Sequence, residues 1–143
     1  LHKYKNVIYL DGDIVIKKNF LDNLEKIDEN YDLIIQNDKN PKKPDIEYLC
    51  AGFMKIKSNN KTLKFFDVNN ISEETIMSGL HDQQYINENK HLLKYFKLPL
   101  DLYPNGAHYY ENSKTLDPLI IHFNYVIGKE KKKLMKHYKE WYK

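Results

Sequence analysis

"VIYLDGDIV", residues Val7–Val15, decides how this chain is read. Four apolar residues lead into two aspartates separated by one glycine, and two further apolar residues follow. Side chains alternate along an extended segment, so Asp11 and Asp13 project to the same side, with their roots roughly 6–7 Å apart. Two carboxylates placed this way can converge on one cation. Gly12 has no side chain, which leaves the turn open to close approach by a backbone or a ligand. An Asp-Gly pair after a strand is often just a surface turn. A carboxylate pair at the carboxyl end of a buried strand, however, sits where open α/β sheets bind ligands.

Working outward, short strand-like runs alternate with helical ones, the pattern of an α/β layer architecture. Val7–Leu10 reads as a buried strand. Phe20, Leu21, Leu24 and Ile27 then recur at helical spacing and predict a helix over Asn19–Glu29 capped by Asn19. "DLIIQ" (Asp32–Gln36) is a second strand, and "NDKNPKKPD" (Asn37–Asp45) has the composition of an exposed loop. "YLCAGFMKIK" (Tyr48–Lys57) reads as a strand around a central Ala51-Gly52. Helices are predicted over Asn59–Val68, Ser72–Met77 and His81–Leu93, and "YPNG" (Tyr103–Gly106) as a type I turn. A last apolar strand in "LDPLIIHFNY" runs out at His122. Gly128 then releases the chain into a helix over Lys129–Trp141, with Leu134, Tyr138 and Trp141 on one face and lysines on the other.

Composition bounds the function. A chain of 143 residues is about one domain. At 41% hydrophobic and 30% charged, with mean hydropathy −0.73, it fits a globular protein and argues against disorder. No run of about 18 apolar residues occurs, so no transmembrane segment is read. All 23 basic residues are lysines, and the net charge is +3, which gives no footprint for nucleic acid. Cys50 is the single cysteine, so neither an internal disulfide nor a multi-cysteine zinc site can form, and the compartment stays open.

Four motifs follow one another: an apolar strand ending in Asp11-Gly12-Asp13, "CAGF" at Cys50–Phe53, "DQQ" at Asp82–Gln84, and an apolar strand ending in His122 with Gly128 and lysines downstream. In this order they resemble the retaining glycosyltransferases of the GT-A fold, and within them the nucleotide-diphospho-sugar transferase family. The resemblance spans Val7 to about Lys133. It implies an α/β fold with a GT-A-type (Rossmann-like) mixed sheet flanked by helices. It also implies transfer of a sugar from a nucleoside diphosphate, commonly a UDP-sugar, to the hydroxyl of a glycan, protein or lipid-linked acceptor, with retention of configuration. The compartment would be the cytoplasm, or the Golgi lumen if the protein carries an anchor.

By the same resemblance, Asp11, Asp13 and His122 are metal ligands, and two carboxylates with one imidazole suit Mn²⁺ better than Mg²⁺. Asp82 and Gln83 hold the donor sugar and flank its anomeric carbon. Ala51 and Gly52 permit close approach of the donor, Asn124 lies in the same neighbourhood, and Gly128 with one lysine meets the diphosphate. Among Lys129, Lys132 and Lys133, Lys132 is the lysine assigned. Cys50 stands where relatives commonly carry an Asn, which bears on the identity of the donor sugar.

In the family the carboxylate pair closes the nucleotide-binding half. Because little precedes Val7 here, residues 1–143 are expected to form one partial domain that is the C-terminal part of the fold, with the nucleoside-binding half largely missing and Val7–Leu10 at an exposed edge. Two other classes compete. "LDGDIV" fits the nucleophile strand of haloacid-dehalogenase-like phosphatases, which also need a later acidic pair for Mg²⁺. A non-catalytic sugar-binding remnant is the second.

Overall fold

The computed structural model describes residues 3–39, 45–77, 79 and 81–141. Among the described residues, six strands and six α-helices form two sheets with helices packed against them: β1 (Asn6–Leu10), β2 (Ile14–Ile16), α1 (Leu21–Glu25), β3 (Leu33–Asn37), β4 (Leu49–Lys57), α2 (Asn60–Phe65), α3 (Glu73–Met77), α4 (Asp82–Asn89), β5 (Tyr95–Lys97), α5 (Gly106–Asn112), β6 (Ile120–His122) and α6 (Gly128–His137). The larger sheet runs β1-β4-β3-β5. Its β1/β4 and β3/β4 pairs are antiparallel and its β3/β5 pair is parallel, so the sheet is mixed. The smaller sheet is the antiparallel pair of β2 and β6. β1 lies at an edge.

Alternation along the strands builds a core on each side of the large sheet. Leu33, Ile35 and Ile56 face Phe65, Ile86 and Leu93, whereas Ile34 and Phe53 face Phe20, Leu24, Tyr103 and Ile120. Ile121 and Phe123 enter a third cluster with Val15, Tyr109 and Met135. No helix among the described residues is long and apolar enough to cross a membrane.

Several predicted boundaries shift for local reasons. The helix predicted over Asn19–Glu29 shrinks to Leu21–Glu25, because Asn19 and Asp28 each accept the N–H two residues on, at 3.0 and 2.8 Å, which favours turns over helix. The helix predicted to Val68 stops at Phe65, where Asp67 caps a 3₁₀ turn over Val68–Asn70. The one predicted to Leu93 ends at Asn89 and continues as a 3₁₀ turn. "YPNG" is not a type I turn: Asn105 is extended (ψ 168°), and its side chain caps α5 by accepting the His108 N–H at 2.9 Å. The last helix ends at His137, before a left-handed Lys139 (φ 62°), so Trp141 lies past it, 42% exposed, while Met135 takes the buried place. Of the predicted loop Asn37–Asp45, residues 40–44 lie outside the described residues.

Candidate active site

The two sheets meet at the aspartate pair. Asp11 and Asp13 do not lie along an extended strand as the sequence predicts. They flank a turn closed by the Ile14 N–H donating to Asp11 O at 3.2 Å, which hands the chain from β1 in one sheet to β2 in the other. Gly12 lies at this turn, with no atom within 4 Å of where its Cβ would be. Because β2 pairs with β6 in the register Ile14↔His122, the imidazole arrives beside Asp13. The Phe123 N–H fixes this end by donating to Asp13 O at 3.1 Å.

His122 Nε2 lies 3.2 Å from Asp13 Oδ1 and 3.8 Å from Asp11 Oδ2. One ligand atom from each of Asp11, Asp13 and His122 can be chosen so that all lie within 4.8 Å of one another, a span that one cation can fill. The floor beneath is Gly52 on β4: a Cβ built there would sit 2.3 Å from His122 Cε1 and 2.8 Å from Asp11 Oδ2. The absent side chain is what makes room for the cluster. Two carboxylates and an imidazole make a donor set of the kind that Mn²⁺ accepts, and the cradle over Gly52 holds them close enough for one ion.

Electrostatics bias the Asp13 carboxylate toward the ionised form. The hydrogen bond from His122 holds Asp13 well below the usual carboxylate range, against the opposing effect of burial and with added help from Lys131, whose Nζ donates to Asp13 Oδ2 at 2.5 Å. Tyr9 donates its phenol to Asp11 Oδ1 at 2.9 Å; that bond, with the Asp11 charge behind it, raises the pKa of the phenol.

A second centre adjoins the first. Where β1 has ended, α4 satisfies the free backbone of β4. Asn87 exchanges two 2.8 Å hydrogen bonds with Leu49, and one turn earlier Gln83 Oε1 accepts the Ala51 N–H at 3.1 Å. The other end of the Gln83 amide donates to Asp38 Oδ2 at 3.0 Å, so its carboxamide is held at both ends. Asp82 stands in the first turn of α4, where its carboxylate accepts the Gln83 N–H at 2.6 Å. Asp38, 7% exposed, also accepts from Asn105 Nδ2 (3.2 Å), Asn124 Nδ2 (3.3 Å) and the Tyr125 phenol (3.1 Å). Burial first, then the Asp38 charge, raises the Tyr125 phenol pKa. Sequence reasoning does not single out Asp38, which falls inside the predicted loop. The signal available is its place two residues after an apolar strand, at the same end of the sheet as Asp11.

The remaining predicted residues divide. Asn124 is used within the fold: its Oδ1 accepts the Gly106 N–H at 2.6 Å. Gly128 has φ +58°, a left-handed value that favours glycine. Lys132 does not reach the cluster; its Nζ lies 4.9 Å over the Trp141 ring, and the next residue back, Lys131, is the lysine that does. Cys50 is buried, with Sγ 3.5 Å from His122 Nδ1, and burial drives its thiol pKa far up, so it is a neutral thiol. The later acidic pair that a phosphatase needs does not appear beside Asp11 and Asp13 among the described residues; a histidine takes that place.

Residues 1–135 match the family model described as nucleotide-diphospho-sugar transferase. The chain is 30% identical, in an alignment of 179 residues covering 99% of it, to the UDP-galactose:fucoside alpha-3-galactosyltransferase of Dictyostelium discoideum, and it spans about a quarter (26%) of that relative. It resembles the solved structure of the galactosyltransferase LgtC in complex with donor and acceptor sugar analogs (TM-score 0.57, 17% identity, 84% of this chain and 52% of that one). The likeness to an active-site mutant of LgtC has TM-score 0.58 at 14% identity, over 96% of this chain and 62% of that one. For the glycosyltransferase GlyE of Streptococcus pneumoniae TIGR4 the values are 0.54 and 16%, over 94% and 40%. At these identities the solved structures establish the fold, a GT-A glycosyltransferase fold, and the family match favours a transferase over a phosphatase.

Proposed function

The chain belongs to the nucleotide-diphospho-sugar transferase family, and from that premise we propose that the protein moves a sugar from UDP to a hydroxyl of a glycan acceptor, with Mn²⁺ and with retention of configuration. The observation that carries the reading is the convergence of Asp11, Asp13 and His122 within 4.8 Å over the cradle left by Gly52. These three residues would hold the cation. When bound, it supplies Lewis-acid stabilisation of the diphosphate as negative charge develops on it.

The chain's own residues do the rest. Lys131, which reaches Asp13, is placed to turn to the diphosphate once the carboxylate is otherwise neutralised, and it takes the role assigned to Lys132 on sequence grounds. Gly128 opens α6 beside it. Ala51 and Gly52 allow the donor sugar to lie close to β4, and Asp82 accepts hydrogen bonds from its hydroxyls. Gln83, clamped between the Ala51 N–H and Asp38, lies beside the anomeric carbon; an amide is a poor nucleophile, so its part is to position. Asn124 braces Asp38 from behind. In the transfer, the bond from the anomeric carbon to the diphosphate oxygen breaks and one to the acceptor oxygen forms on the same face. The acceptor's proton passes to the departing phosphate oxygen.

The test is UDP release from a panel of UDP-sugars by the intact protein, with Mn²⁺ and with a chelator, in the presence of simple glycan acceptors. Metal-dependent release from one sugar, raised by acceptor, is the expected result. Release of phosphate from simple phosphomonoesters with no release of UDP would overturn the reading.

A further inference from the structure

Gln36, on β3, is a fully buried polar side chain that the proposed transfer does not use. The β3/β4 register shifts between Ile35 and Gln36, so that Ile35 pairs with Met54 but Gln36 with Cys50. This irregularity places Gln36 beside Cys50 and behind His122, on the side of the ring away from Asp11 and Asp13.

Its amide can be oriented without ambiguity. Gln36 Nε2 donates to two backbone carbonyls, Tyr103 O at 3.1 Å and Pro104 O at 3.0 Å, which use both of its hydrogens. Turning the amide over would set Oε1 against two oxygens that cannot donate. Oε1 therefore faces His122 Nδ1, at 2.8 Å. An acceptor at that distance requires a proton on Nδ1. The neutral Cys50 thiol at 3.5 Å can accept a share of the same N–H, and it cannot replace the geometry, because Gln36 stays locked by its carbonyls. With Nδ1 committed to Gln36, Nε2 is the ring nitrogen that faces Asp13 and Asp11, and the one whose lone pair a cation between them would meet.

We infer that Gln36 is a positioning residue for the metal centre: fixed by the carbonyls of Tyr103 and Pro104, it holds His122 in the Nδ1–H tautomer, so that Nε2 is presented as a ligand atom. The inference rests on the proposed metal-binding reading, although the proton on Nδ1 does not depend on a metal. Outer partners of this kind typically change metal affinity by about 10–100-fold when removed.

The experiment uses the intact protein labelled with ¹⁵N-histidine. In the metal-free protein, imidazole ¹⁵N shifts, assigned by comparison with His122→Ala, should show Nδ1 of His122 carrying a proton. Gln36→Leu, which removes the acceptor, should populate the Nε2–H tautomer and weaken Mn²⁺ binding, read by electron paramagnetic resonance of free Mn²⁺, by about tenfold or more. An unprotonated His122 Nδ1 in the unaltered protein overturns the inference whether or not Gln36→Leu folds. So does a folded Gln36→Leu variant that binds Mn²⁺ within twofold of the unaltered protein. If the unaltered protein shows the Nδ1–H ring and binds no Mn²⁺, the metal reading fails, and with it the assignment of Gln36 to a metal centre, while the tautomer stands as a structural fact.

Discussion

Gly52 lies directly beneath His122, so close that a Cβ on Gly52 would sit 2.3 Å from the ring. His122 cannot retreat, because Gln36 and Cys50 are behind it. Gly52→Ala should therefore displace the imidazole, weaken Mn²⁺ binding about tenfold or more, and cost on the order of 1–3 kcal/mol of stability from overpacking. Gly12→Ala enters open space and should leave metal affinity within about twofold, because a methyl group that meets no neighbour has nothing to displace. Metal titration of both variants beside thermal melts checks the pair.

The proposed metal site and the Gln83 site should separate in kinetics. His122→Ala is expected to weaken metal and UDP binding. Asp82→Ala, Gln83→Ala and Asp38→Asn should leave Mn²⁺ affinity near its original value and slow turnover, by roughly 10²–10³ if these groups act on position or charge in the transition state. Asp38→Asn tests the clamp, since it weakens the acceptor that holds Gln83 Nε2. Steady-state rates with UDP-sugar, alongside metal titration, distinguish the two groups.

Lys131 and Lys132 are neighbours in sequence with different surroundings, one on Asp13 and the other over Trp141. Lys131→Ala should lower UDP affinity about tenfold, roughly 1.4 kcal/mol, and Lys132→Ala should leave it unchanged. Calorimetric titration with UDP and Mn²⁺ measures both.

Asp32 supplies a pH-dependent part of the stability. Burial pushes its carboxyl up, but the Lys94 N–H, the Lys61 ammonium at 3.0 Å and the Asn59 amide together outweigh this and bring its pKa below the ordinary value. A depressed folded pKa contributes stability that is present above the unfolded pKa and is lost as pH falls through the folded one. Urea midpoints should therefore drop as pH falls below about 4. Asp32→Asn should be less stable at neutral pH and show a shallower drop.

The large sheet and the cluster are legible in the sequence because their signals are local. Val7–Leu10, Asp32–Gln36 and Tyr48–Lys57 carry apolar runs long enough to read, and His122 ends another. β2 and β5, at three residues each, carry too little pattern, and β2 gains meaning only through its pairing with β6. Asn105 departs from its predicted turn because a Pro-Asn-Gly sequence serves a turn or a helix cap equally well, and the carbonyls that Gln36 binds settle where that segment lies. Asp38 and Gln36 owe their roles to partners 45 to 87 residues away, which no local spacing encodes. Lys131 sits in an unbroken charged run from Lys129 to Lys133, and only the pitch of α6 selects it.

The central claim is that Asp11, Asp13 and His122 together hold a cation that the donor's diphosphate requires. Calorimetric titration of UDP into the intact protein, with Mn²⁺ and then with a chelator, for the unaltered chain and for Asp13→Ala, tests it most directly. The expected result is UDP binding with Mn²⁺, loss of that binding in the chelator, and loss in Asp13→Ala even with Mn²⁺ present. UDP binding of equal affinity in all four titrations would contradict it.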